Sequence, residues 1–326
     1  MMTCFPGPRR IAASALFAAL ALAATIATDA AADTRVIVIN SADDSISLID
    51  PRTYAETARV PIGREPHHLM PTPDGRDLLV ANAAGNELVV TDPRTGAIRK
   101  RLPGIPDPYQ LAYSPDRRWF VTAGLRLNRI DVYEADGLKP VKRLPIDSMP
   151  SHIAFTPDSK LAFVTLQGSD KIAAVDLTLP AVAWTLPVGK QPAGLLVTPD
   201  GAHVLVGIMG QDDVAVVDWR TRSVVKRIKT GKGSHNIFPG DRPDRALVSN
   251  RLADTISVID LTNLTKIEDF AVPGGPDDLV YSVDKTEIWV TSRWRRQVVV
   301  LDAKTHQIKQ TIRVGRSPHG IFVASD

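Results

Sequence analysis

An all-β, seven-bladed β-propeller is expected from this sequence, with four-stranded blades and a ring closed by the C-terminal strand joining the N-terminal blade. Three registers lead there. An acidic residue recurs every 42 positions, at Asp50, Asp92, Glu134, Asp176, Asp218, Asp260 and Asp302. An aliphatic residue keeps the same step, at Leu69, Leu111, Ile153, Leu195, Ile237, Leu279 and Ile321. The third register is Pro66, Pro108, Pro150, Pro192, Ser234, Pro276 and Pro318. A period of this size, held in three registers at once, specifies a solenoid, propeller or array.

Each unit reads as four short strands. In the second unit Leu69-Met70 opens the first strand, and Pro73-Asp74-Gly75 turns it. The second strand covers 77–81, the third 87–91 and the fourth 97–102. The loop Ala83-Ala-Gly-Asn86 and the turn Asp92-Pro-Arg-Thr-Gly96 separate the last three. Val, Ile and Leu suit buried pleats, and Pro, Gly, Asn and Asp mark turns. The acidic register therefore has a structural role: Asp92-Pro-Arg-Thr95 and Asp302-Ala-Lys-Thr305 read as Asx turns. The repeat is entered at a second strand (Val36 to Ile39) and left after a first (Ile321 to Val323). The last strand thus completes the first blade and removes free sheet edges. An open solenoid would instead call for polar caps, and neither end carries one.

Composition agrees. A chain of 326 residues that is 44% hydrophobic can bury a core and is too apolar for disorder. A net charge of +3 argues against a dedicated nucleic-acid binder. So do five Trp and five Tyr without stacking spacing, and no nucleic-acid partner is expected. The single cysteine, Cys4, cannot build a disulfide, a Cys-ligated zinc site, an iron–sulfur cluster or a C-x-x-C-H haem attachment. Residues 1–32 read as a secretory signal. Arg9-Arg10 precede an apolar run from Ile11 to about Ile26, and Ala30-Ala31-Ala32 supplies a small-residue cleavage site. The run is shorter than a membrane span needs; an N-terminal anchor is the alternative. Arg9-Arg10 alone do not choose between the general and twin-arginine routes. Residues 33–326 are then the propeller domain, periplasmic or secreted, with no membrane span in the mature chain.

Val38-Ile-Asn40, Val80-Ala-Asn82 and Val248-Ser-Asn250, with Thr255-Ile-Ser-Val-Ile-Asp260, Gln191-Pro-Ala-Gly194 and Thr198-Pro-Asp-Gly201, resemble the YVTN-type β-propeller repeat. The resemblance covers residues 35–326. Relatives of this type include cytochrome d1 haem-binding propellers, the heavy chain of methylamine dehydrogenase, lactonase-like propellers and secreted binding proteins. The resemblance implies seven blades and a secreted location, and no single activity.

Function is sought where the repeat breaks its own rule. The two residues before the aliphatic register are His67-His68, Tyr109-Gln110, Ser151-His152, Ala193-Gly194, His235-Asn236, Asp277-Asp278 and His319-Gly320. Five of the chain's seven histidines fall there. In an up-and-down blade these slots share a face with the second-to-third loops. Those loops carry Arg251, Arg293, Trp294, Arg295 and Arg296, plus Arg126 and Arg129. The first strand lines the channel, so its mouth is the natural ligand site. His67, His68, His235, Asp278 and His319 come from the contiguous blades 6, 7, 1 and 2. They are the candidate metal ligands, because imidazole and carboxylate suit Zn, Cu or Fe. His152 faces them across the channel. Arg251, Arg293, Arg295, Arg296 and His152 are the candidates for an anionic cofactor. A d1-type haem, with His axial and Arg on its carboxylates, is what the cytochrome d1 resemblance implies.

The competing reading is a wet, polar channel whose side chains satisfy only backbone and water. There is no G-x-S-x-G elbow, H-E-x-x-H or Walker loop. Gly231-Lys-Gly-Ser-His235 enters a strand rather than a helix, so it is not a phosphate loop. The expectation is a non-catalytic binding propeller holding a transition metal, an anionic cofactor or a periplasmic partner protein. The alternative is a metal- or cofactor-dependent enzyme. It would be an oxidoreductase or tetrapyrrole protein needing a separate electron-transfer partner, or a lactonase-like hydrolase with an open metal position. A scaffold using the outer blade faces is the third class.

Overall fold

Runs of Val, Ile, Leu and Ala form the second and third strands of every repeat, and these strands are buried on both faces. The computed structural model describes residues 1–3 and 35–324; the leader expected over 1–32 lies almost wholly outside them. In blade 4, Ala162, Val164 and Val175 pack toward blade 3, against Val121, Ile130 and Leu144. The alternate residues Phe163, Ile172 and Ala174 pack toward blade 5, against Val204, Val206 and Ala215. Each sheet is thus sandwiched between two others. This explains why its middle strands read as continuous apolar runs rather than as an alternation. The fourth strand faces solvent: Ile98–Pro103, of sequence IRKRLP, is exposed except at Leu102.

The described residues form seven four-stranded antiparallel sheets. In blade 2 the strands are Pro66–Pro71, Leu78–Asn82, Glu87–Thr91 and Ile98–Pro103, in that order. The strand Pro318–Val323 pairs with Val36–Asn40, with Val36 opposite Val323 and Val38 opposite Ile321. Blade 1 is therefore built from both ends of the repeat array and closes the ring. The acidic register makes the expected turns in six blades. Asp50 accepts from the Arg52 amide, Asp92 from Arg94 and Thr95, and Asp302 from Lys304 and Thr305, at 2.8–3.0 Å. Asp176, Asp218 and Asp260 do the same. Glu134 departs: its longer side chain does not cap, and a short 3-10 turn at Asp136–Leu138 follows instead.

One local irregularity positions the site. In every blade but the third, the pairing of first and second strand shifts between the register proline (or Ser234) and the aliphatic residue, as at Pro66/Leu69, Ser234/Ile237 and Pro276/Leu279. A bulge of this kind re-aims the side chains it carries. The slot residues sit on it.

Candidate functional site

The bulges bring all five slot histidines together on the axis. His67 and His319 have ring centroids 3.9 Å apart, and His68 lies 4.6 Å from His319 and 4.9 Å from His67. His152 joins them at 5.6 Å from His68 and 5.3 Å from His235. Tyr109 stacks on His67 at 3.8 Å. None of the five imidazoles is more than 6% exposed, so the mouth is a buried cluster.

In blades 4, 6 and 7 the backbone of the bulge is tied to a hydroxyl on the second strand of the same blade. Thr165 accepts from the His152 amide, Ser249 from the Asn236 amide and Thr291 from the Asp278 amide, at 3.0–3.1 Å. Thr291 Oγ1 also donates to the His319 carbonyl at 2.8 Å, linking blades 7 and 1. Blade 5 gives no ligand for a steric reason. A Cβ on Gly194 would collide with Asn236 Oδ1 and lie 2.6 Å from the Asn236 Cα. That close approach lets Asn236 Nδ2 reach Asp278 Oδ1 at 2.9 Å.

Asp277 is the electrostatic hub. It accepts from Arg251 Nε at 3.0 Å, from Arg251 Nη2, and from Arg293 Nη1 at 2.9 Å. His235 Nδ1 lies 3.2 Å away, and His319 Nε2 3.7 Å. Burial alone would raise its pKa, but Arg251 and the adjacent imidazoles more than offset this and hold it well below the carboxylate range. Asp278 takes no hydrogen bond from either guanidinium, its side-chain donor being Asn236 Nδ2. Burial, then the neighbouring charge of Asp277, push it up to about 7. Its Oδ2 stands 3.8 Å from both His68 Nδ1 and His319 Nδ1. Burial depresses every slot histidine. His68 falls to about 3; His235, with Arg251 adding to burial, falls to about 4. His67, His152 and His319 fall well below the ordinary imidazole value. The rings are therefore neutral at pH 7, with lone pairs free for coordination.

The sequence candidates sort into two groups. His67, His68, His152, His235, Asp278 and His319 converge, with Arg251 and Arg293 attached through Asp277. Arg295 and Arg296 stay exposed on the loop beyond Trp294. Arg126 binds Asp107 and Glu65, and Arg129 binds Asp131 at 2.6 Å, so both serve the rim. Sequence reasoning chose Asp278 and passed over Asp277 as a site residue. A signal was present: two arginines, Arg251 and Arg293, occupy the loops nearest to its slot.

No curated protein sequence matches the chain. Among solved structures, a functionally unknown protein from Desulfotomaculum acetoxidans superposes with a TM-score of 0.76 at 15% identity, covering 89% of this chain and 98% of that one. The dihydro-heme d1 dehydrogenase NirN, in complex with DHE, gives 0.67 at 17% identity over 88% of this chain and 74% of its own. Hydrazine synthase of Kuenenia stuttgartiensis gives 0.67 at 16% identity over 78% and 88%. Identities this low show the fold alone. The family description that matches, over residues 10–326, is YNCE-like β-propeller, and with seven closed blades on the page the chain belongs to that family.

Proposed function

We propose that this chain is an extracytoplasmic, non-catalytic binding propeller whose axial histidine cluster holds a late first-row transition-metal ion. The observation that carries the reading is a set of buried imidazole nitrogens. His67 Nδ1, His68 Nε2, His152 Nε2 and both nitrogens of His319 have no hydrogen-bond partner among the described residues. A buried polar atom left unpaired costs about 1–3 kcal/mol, and one ion satisfies several at once. Neutral imidazoles favour copper, nickel or zinc over hard cations. His67, His68 and His319 each offer a nitrogen within 4.8 Å of the others. Tetrahedral ligand atoms about 2.0–2.1 Å from an ion lie about 3.4 Å apart, so uptake draws these rings together. Asp278 is placed to supply a carboxylate. Asp277, already bound by two guanidinium groups, instead sets the charge balance. The extracytoplasmic part of the reading rests on the leader-like composition of residues 1–32.

A d1-type haem is the weaker reading. A macrocycle needs an open face above its axial histidine, and here the imidazoles pack against one another and against Tyr109. Titration of metal-free protein with Zn²⁺ and Cu²⁺ against a competing chelator is expected to give tight binding. His67→Ala and His319→Ala are expected to weaken it by about 10- to 100-fold or more. Absence of retained metal, or variants that bind like the wild type, overturns the proposal. A haem-type absorption band retained through purification replaces it with the tetrapyrrole reading.

A further inference from the structure

The loops joining second to third strand hold a further register, and one blade abandons it. Asp44, Asn86, Asn128, Asp170, Asp212 and Asp254 each accept, at 2.8–3.0 Å, from the backbone amide 21 residues on. All six stand in left-handed backbone, at φ 51–61°, which Asn and Asp adopt more readily than other residues with a side chain. In blade 7 the position is Arg296, at φ 55°. An arginine accepts nothing, so the Ser317 amide lacks this bond, and Asp43 holds the neighbouring Arg316 amide at 2.6 Å instead. Two residues earlier, Trp294 stands where blades 1 and 2 carry Ala42 and Ala84 and blades 4 and 5 carry Gly168 and Gly210. A repeat that gives up a local contact for a cation and an exposed ring breaks its own rule in the way functional sites do.

Charge at this edge is one-sided. The three segments that form it in blade 7, 272–276, 293–297 and 313–317, hold five arginines and no acidic residue. Arg293 is bound to Asp277 and Arg316 to Asp43. Arg295, Arg296 and Arg313 are exposed and make no side-chain hydrogen bond or ion pair among the described residues. They are neighbours, since the Val314 amide donates to the Arg296 carbonyl at 3.0 Å. Beside them the Trp294 ring rests on bare backbone. A Cβ on Gly275 would lie 2.7–2.9 Å from three of its ring atoms, and Trp294 is still 54% exposed. The bond from the Gly275 amide to Asp254 ties this loop to the one carrying Leu252, which is 66% exposed. Lys232, whose carbonyl accepts from the Leu252 amide, adds a further exposed cation.

We propose that this edge of blades 6 and 7 docks an acidic segment of a partner protein, with carboxylates on Arg295, Arg296 and Arg313 and an apolar side chain against Trp294 and Leu252. Charge complementarity selects the partner: unpaired guanidinium forks match carboxylates bidentately. An anionic membrane surface needs only point charges, which lysine supplies as well. Trp and Arg are also the side chains that dominate protein interfaces. The surface does not depend on the metal reading, because none of the side chains assigned to the partner is a candidate ligand.

The test uses the metal-free full chain and a hexapeptide of four glutamates and two leucines carrying a neutral dye, followed by fluorescence anisotropy at low salt. Saturable binding is expected, with Kd about 1 mM or tighter, weakened by added salt. The isostere with glutamine for glutamate is expected to bind about tenfold more weakly or worse. Arg296→Asp restores the acceptor that six other blades use. It is expected to melt at or above the wild-type temperature, yet to weaken the peptide about fivefold or more. Trp294→Ala installs the residue of blades 1 and 2 and is expected to weaken it in the same way, with melting unchanged. Lys142→Asp, on the exposed fourth strand of blade 3, is expected to leave binding within about twofold, because only diffuse attraction reaches it. The proposal is overturned if the glutamine peptide binds as well, if folded Arg296→Asp and Trp294→Ala bind like the wild type, or if Lys142→Asp weakens binding as much as they do. Binding to phosphatidylglycerol vesicles with none to the peptide overturns it in favour of a lipid surface.

Discussion

Two adjacent aspartates illustrate how position on the axis decides chemistry. Asp277 and Asp278 occupy the same bulge and are both buried, yet one is held ionised and the other is pushed toward the neutral acid. Arg251 and Arg293 converge on Asp277, so removing its charge leaves two guanidinium groups unpaired at the edge of a buried cluster. Breaking a buried ion pair from one side costs about 3–5 kcal/mol. Asp277→Asn is accordingly expected to lower stability by about that amount, read as a shift in the denaturant midpoint at pH 7. Asp278→Asn is expected to cost much less, because Asp278 has no cationic partner to strand. Equal losses in the two variants would contradict the assignment of Asp277 as hub.

Strands and turns were the most legible part of the sequence, because their causes are local. The sequence pattern places the third strand of blade 2 at Glu87 to Thr91, and that strand spans Glu87–Thr91. The Asp register gave the Asx turns, and only Glu134, one methylene longer, departs. The convergence of slot histidines was legible too, since a closed ring places equivalent positions on one axis. The bulge was not. It recurs even where Ala81 or Gly207 offers no hydroxyl, and Thr165, Ser249 and Thr291 tie it down only in blades 4, 6 and 7. Nor was the depth of burial of the cluster legible, because it arises from ring-on-ring packing across blades remote in sequence. Thr291→Val tests the element directly. It keeps the shape, but strands the Asp278 amide and the His319 carbonyl. A loss of about 1–3 kcal/mol is expected in chemical denaturation, together with weaker metal binding as Asp278 and His319 lose their anchor. Unchanged values for both would mean that the bulge holds its shape without the hydroxyl.

At the scale of the whole molecule, ring closure and the site are one event, since the strand Pro318–Val323 both completes blade 1 and delivers His319. Folding of the metal-free chain must therefore bury five imidazoles in neutral form, and this links stability to pH. In the unfolded chain each histidine titrates near 6.5. In the folded protein His235 falls to about 4, His68 to about 3, and the other three lie well below the ordinary value. Below pH 6.5 the unfolded chain takes up protons that the folded state refuses, so acid favours unfolding and stability rises with pH. Asp278 acts in the opposite sense between its unfolded value of 3.8 and its folded value of about 7, where the folded state holds the extra proton. Asp277, held ionised by Arg251, adds stability that is lost only in stronger acid, below 3.8. Five histidines opposed by one aspartate leave a net uptake of protons on unfolding below pH 6.5, so the histidines set the sign of the slope. The denaturant midpoint of metal-free protein is thus expected to fall between pH 6.5 and 5, and the double variant His152→Gln/His235→Gln to make that fall shallower. A flat profile would mean that the imidazoles are charged in the folded state, and the case for a neutral, coordination-ready cluster would fail with it.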